Sequence, residues 1–223
     1  MFWIAVLVVI TILVIYACVI RKSTKQYIIR GMVVNILSDT DNKDEAIAIM
    51  VECNTRMLRL FEHLRKKFKI GITDSECPAK CQNWVSQHQN EREVIIHLLR
   101  GFNYEKIYEH KASVTNVAYS LNKGEHIMLC LRENNAKRRV VDINDLLFVT
   151  IHEAAHIANY NEWGHGQRFW AIFKYLLQEA AAIGIYKPID YSVTPHSYCG
   201  FIINHNPLVD PRILVWEGAK MFS

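Results

Sequence analysis

Apolar residues fall in three different rhythms along this chain, and each rhythm predicts a different kind of element. Phe2–Ile20 is an unbroken uncharged run of nineteen residues in which Thr11 is the one clearly polar side chain. At helical rise such a run spans about 28 Å, close to the hydrocarbon thickness of a bilayer, so it reads as a transmembrane helix. Gln26–Leu37 reads as a short helix and Ser38–Lys43 as a polar turn. From Asp44 to Phe68 the positions Ile47, Met50, Val51, Met57, Leu58, Phe61 and Leu64 recur at helical spacing. After a loop at Gly71–Lys80, a further helix is expected over Cys81–Arg100. Beyond Gly101 the period shortens to two: Ala112–Leu121 and Glu125–Arg132 alternate like strands, and Asn122-Lys123-Gly124 between them is hairpin chemistry. Helical spacing returns around Leu146–Ile157, with Asp142 or Asn144 placed to cap its start, and again over Gln167–Ile183, which Gly184 ends. Lys187-Pro188 opens an irregular tail with short extended segments at Phe201–Asn204 and Ile213–Trp216. The pattern predicts an α+β protein divided into an anchor (1–22), a helical region (23–103) and a domain of sheet plus two helices (104–223).

Composition narrows this picture. At 223 residues, with 51% hydrophobic and 22% charged, the chain can bury one sizeable core beside a membrane segment, and one full domain is expected rather than two. Arg21, Lys22, Lys25 and Arg30 follow the apolar run and no basic side chain precedes it, so the positive-inside bias places residues 21–223 on the cytosolic side of a single-pass protein. A cleaved signal peptide would call for a basic start and a small-x-small cleavage site, and the chain has neither. Net charge is +4, much of it beside the apolar run, and Arg65-Lys-Lys-Phe-Lys69 reads as a solvated helix end; both argue against a nucleic-acid partner. The six cysteines are scattered, with no evident disulfide framework, and reduced thiols suit a cytosolic side. Cys77 and Cys81 lack the second Cys or His pair that a structural zinc site needs.

The chemistry concentrates at His152-Glu153-Ala-Ala-His156. Residues four apart share a helix face, so the two imidazoles can converge on one ion, with the carboxylate of Glu153 beside it as general base. A catalytic Zn²⁺ takes three protein ligands. His165, in Gly164-His165-Gly166, can be turned back toward the helix by its flanking glycines, and Glu179 on the next helix is the rival. The chain departs from the pattern H-E-x-x-H-x-x-G-x-x-H, since Asn159 and Glu162 stand where that pattern has glycine and histidine. In the tail, His196 and Tyr198 are candidates to hydrogen-bond an oxyanion or the substrate.

At these residues the chain resembles the WLM metallopeptidases, which are related to the SprT-like proteases. The resemblance runs from about Tyr104 to Tyr186: a strand pair around Asn122–Arg132, the helix with His152, Glu153 and His156, then the glycine-flanked His165 followed by Phe169-Trp170. The spacer between His156 and His165 leaves the subfamily open. The resemblance implies a zincin-like fold and a Zn²⁺-dependent endopeptidase acting on proteins or peptides. Its anchored arrangement is similar to metalloprotease-like proteins of large DNA viruses. The alternative is a catalytically silent structural or interaction protein at a membrane or virion. A further expectation, from metallopeptidases generally, is that the edge of the strand Ile127–Leu131 holds an extended substrate.

Overall fold

The computed structural model describes residues 24–38, 40–71, 89–112, 117–133 and 138–214. They form an α+β fold built around a five-stranded sheet. Strands β1 (Thr24–Ile29) and β2 (Met32–Leu37) make an antiparallel hairpin. Helices α1 (Lys43–Lys67) and α2 (Gln89–Gly101) follow, then β3 (Ile107–Glu109), β4 (Ala118–Leu121) and β5 (His126–Leu129). Helices α3 (Ile143–Ala158) and α4 (Gln167–Ala182) come next, and a small hairpin, β6 (His196–Tyr198) with β7 (Phe201–Ile203), closes the described chain. The sheet order is β1-β2-β3-β5-β4, with β2, β3 and β5 parallel and β4 antiparallel at one edge.

The hairpin corrects the helix expected over Gln26–Leu37. Arg30 (φ 51°) and Gly31 (φ 78°) both adopt left-handed backbone, the two-residue geometry that matches strand twist, and glycine supplies the second at little steric cost. The β-branched residues on either side then pair in register from Thr24↔Leu37 to Ile29↔Met32. Residues 24–37 and 107–129 therefore share one sheet, which crosses the boundary expected near residue 103. Val34 and Ile36 of β2, Met50 and Met57 of α1, Ile107 of β3, Leu129 of β5 and Leu147 and Ile151 of α3 belong to one core.

Helix α3 runs through the middle of that core and packs on α1, α2, α4 and β4. Asp142 accepts a hydrogen bond from the Asn144 N–H (2.7 Å), so of the two expected caps it is Asp142 that starts the helix. The β4–β5 turn is drawn onto the end of α3: Gly124, at φ +106°, lies so close to Gly101 and Ile157 that a Cβ there would sit 2.3 Å from the Gly101 carbonyl oxygen.

Cysteine usage differs from expectation. Cys130, just after β5, and Cys199, in the β6–β7 turn, form a disulfide, and Cys53 is a buried free thiol. The pairing could not be read from spacing because the tail that carries Cys199 is brought to the end of β5 only by the fold. Phe2–Ile20, Cys77 and Cys81 lie outside the described residues. Among the described residues no helix is long and apolar enough to cross a membrane.

Candidate metal centre

His152 and His156 lie one turn apart on α3, and α4 begins at Gln167, so the loop between the helices returns His165 to the same face. Gly164 (φ 82°) supplies the reversal. The three Nε2 atoms form a nearly equilateral triangle: 3.2 Å from His152 to His156, 3.1 Å from His156 to His165 and 3.1 Å from His165 to His152. Phe169 of α4 is fully buried against all three rings, at centroid distances of 4.9, 4.3 and 4.7 Å. Its ring walls the triangle with an apolar surface.

These nitrogens fit a metal ion better than they fit one another. Each facing nitrogen of a neutral imidazole carries either an N–H or a lone pair, so in a triangle of three at least two like groups, two lone pairs or two N–H, face each other. A triangle of this side has a circumradius of about 1.8 Å, just under the roughly 2.0–2.1 Å of a zinc–nitrogen bond, so His152, His156 and His165 could hold one ion together. Protonation is also suitable. Burial, then the neighbouring imidazoles, lower the pKa of His152 to about 3. Burial, with His165 and the Lys123 ammonium, lowers that of His156 to about 4, and burial lowers that of His165. All three lone pairs are free near neutral pH.

Glu153 is buried, and burial raises its carboxyl pKa to about 7, against hydrogen bonds from the side chain and backbone of Ser120. Ser120 belongs to β4, so the carboxylate is oriented from the edge strand. A cavity of about 250 Å³ is lined by the three histidines, Glu153, residues 118–120 of β4 and Trp163. A larger cavity, of about 310 Å³ around Glu109 and Arg132, brings together no such group of ligands among the described residues.

Other candidates fall away from this point. The carboxylate of Glu179 is held by His63 and Lys67, each at 2.6 Å. Tyr198 is buried and donates its hydroxyl to the Cys130 carbonyl (2.7 Å), while His196 is paired with Asp145 at 2.9 Å; neither lines the cavity. Strand β5 is paired on both sides, by β3 and β4, so the edge beside the site is that of β4 and not of Ile127–Leu131. The roles of Ser120 and Phe169 had no local signal, since both depend on strand and helix packing; only the position of Phe169 in the family-like segment pointed toward it.

The fold and the triad together define an α+β protein with a three-histidine, metal-competent centre. Residues 31–193 match the WLM domain, and the chain belongs to the WLM family, which is metalloprotease-like. It is 28% identical over 208 residues to an uncharacterized protein of Acanthamoeba polyphaga mimivirus, an alignment covering 92% of this chain and 95% of the relative. It is also 40% identical over 70 residues to an uncharacterized protein of Invertebrate iridescent virus 6, covering 31% of this chain and 38% of the relative. Among solved structures it is similar to a mutant Wss1 from Saccharomyces cerevisiae, with 15% identity and a TM-score of 0.45, over 66% of this chain and 87% of that one.

Proposed function

We propose that this chain is a zinc-dependent endopeptidase, with His152, His156 and His165 as the metal ligands and Glu153 as general base. The observation that carries the reading is the triangle of Nε2 atoms, 3.1–3.2 Å on a side, with a buried carboxylate on the adjoining residue. A divalent ion held there would supply Lewis acidity, polarising a peptide carbonyl and letting water ionise near neutral pH.

The protein's own part is placement and proton handling. Glu153 takes the proton of the attacking water and passes it to the leaving amine, a role for which a carboxyl kept near the working pH is suited. The Ser120 hydroxyl and N–H hold that carboxylate toward the cavity. Phe169 excludes water from behind the triad, and the outer edge of β4 offers backbone groups to an extended protein or peptide substrate. The uncharged run Phe2–Ile20 and the basic residues after it support a membrane anchor with its basic flank on the cytosolic side, whereas the Cys130–Cys199 disulfide removes the reduced-thiol argument for that side.

The test is metal analysis beside a peptidase assay. The wild-type chain is expected to hold one zinc and cleave unfolded protein. Glu153→Gln is expected to hold the same zinc with activity reduced by about 10²–10⁴-fold. An active Glu153→Gln variant would remove Glu153 as the base, and a wild-type chain that takes up no zinc would end the metallopeptidase reading.

A further inference from the structure

We infer that Lys123 is a positioning residue for the third histidine: from the β4–β5 turn, its ammonium holds the loop that carries His165 in place beside α3. The inference rests on the three-histidine reading and adds a residue outside the His-Glu-x-x-His segment.

The loop needs such a tether. Residues 161–167 are exposed at every position, so burial cannot hold them, and Gly164 loosens the backbone next to the ligand. His152 and His156 need no help, because α3 is fixed by the core. Into this gap reaches Lys123. Its Nζ donates to the Glu162 carbonyl (2.6 Å) and the Asn159 carbonyl (2.8 Å), and lies 3.3 Å from the His156 carbonyl. An ammonium has three donors, and three acceptors surround it. Two belong to the end of α3, where the negative end of the helix dipole favours a cation; the Asn159 carbonyl also accepts the Glu162 N–H at 3.4 Å. The third lies three residues before His165. The Trp163 ring covers the same ammonium at 4.5 Å, adding a cation–π contact.

The tether is itself rigidly based. Asn122 (φ 45°), Lys123 (φ 57°) and Gly124 (φ 106°) form a tight turn, and Gly124 is packed against Gly101 and Ile157. One side chain thus joins the edge strand beside the cavity, the helix bearing two histidines and the loop bearing the third. Without the ammonium, His165 would spend less time at the triangle while His152 and His156 stayed where they are.

The experiment uses the full chain stripped of metal and titrated with zinc against a chromophoric chelator, for wild type, Lys123→Met, Lys123→Arg and His165→Ala. Zinc affinity of Lys123→Met is expected to fall about 10–100-fold, within the loss caused by His165→Ala, with Lys123→Arg recovering part of it. Cobalt loaded into Lys123→Met should give a weaker visible absorption than in wild type, reporting a less regular ligand set. The melting temperature of the metal-free variant should fall by no more than about 4 °C, the loss of one cation at the end of α3, since the loop itself is exposed. Equal zinc affinity and cobalt spectra in wild type and Lys123→Met would overturn the inference, as would a large drop in metal-free stability, which would make Lys123 a general structural residue. A wild-type chain that binds no zinc would instead defeat the metal-centre reading on which this one rests.

Discussion

Reduction of the Cys130–Cys199 bridge is expected to cost the fold several kcal/mol, a magnitude that follows from its place in the chain. The two cysteines are separated by 69 residues. Closing a loop of that length in the unfolded chain removes conformational entropy worth about 4.4 kcal/mol at 25 °C. The folded state needs the bridge much less. Tyr198 still donates to the Cys130 carbonyl at 2.7 Å, and the Cys199 N–H still meets the Glu133 carboxylate at 3.3 Å, so β6–β7 keeps its place on the end of β5. The effect is therefore carried by the unfolded state, and 4.4 kcal/mol is the upper figure. For a chain of this size it corresponds to a fall of roughly 9–18 °C in melting temperature. The assay is thermal unfolding with and without a phosphine reductant, repeated on a Cys130→Ala/Cys199→Ala double variant, which should melt like the reduced protein and ignore the reductant. Alkylation followed by mass spectrometry counts the free thiols. Cys53 is an internal control: burial pushes its thiol up to about 12, so it should label only after unfolding. Labelling of Cys130 and Cys199 in the unreduced native protein, or equal midpoints with and without reductant, would refute the reasoning.

Two other outcomes follow from the metal centre. Phe169→Ala empties a fully buried ring position beneath the histidines and should cost about 3–5 kcal/mol in urea unfolding, with zinc affinity lowered as well; a cost under about 1 kcal/mol would mean that the ring does not wall the site. The pH dependence of Glu153 can be isolated as the stability difference between wild type and Glu153→Gln in metal-free protein. Its folded pKa of about 7 lies above the unfolded value of 4.5, so the folded state binds the proton first. The difference should shift in favour of wild type by roughly 3 kcal/mol as pH falls from above 7 to 4.5, then stay level, and be lost again as pH rises through 7. A difference independent of pH would show that the carboxyl is not held in a buried setting.

Features set by neighbours in sequence were legible without coordinates. The four-residue spacing of His152 and His156 becomes proximity on any helix, and the apolar stripe around them ensured that a helix would form there. The same holds for the α1 stripe and for the Asn122-Lys123-Gly124 turn. His165 was legible from its flanking glycines and the need for a third ligand, although its loop has no periodicity of its own, and the family resemblance agreed with that choice. Gln26–Leu37 carries apolar residues compatible with either period, and the left-handed pair Arg30-Gly31 makes it a hairpin where a helix is expected.

The sequence by itself determined the helices, the central turn and the chemical identity of the candidate ligands, because those depend on residue types a few positions apart. Only the tertiary structure decided that Cys130 meets Cys199, that β4 is the edge beside the cavity, that His196 and Tyr198 are occupied elsewhere, and that Lys123 reaches the loop of His165. Each of these is a contact between segments far apart in the chain. Its partner is selected by how the helices and sheet pack into one core, and no local pattern encodes that choice.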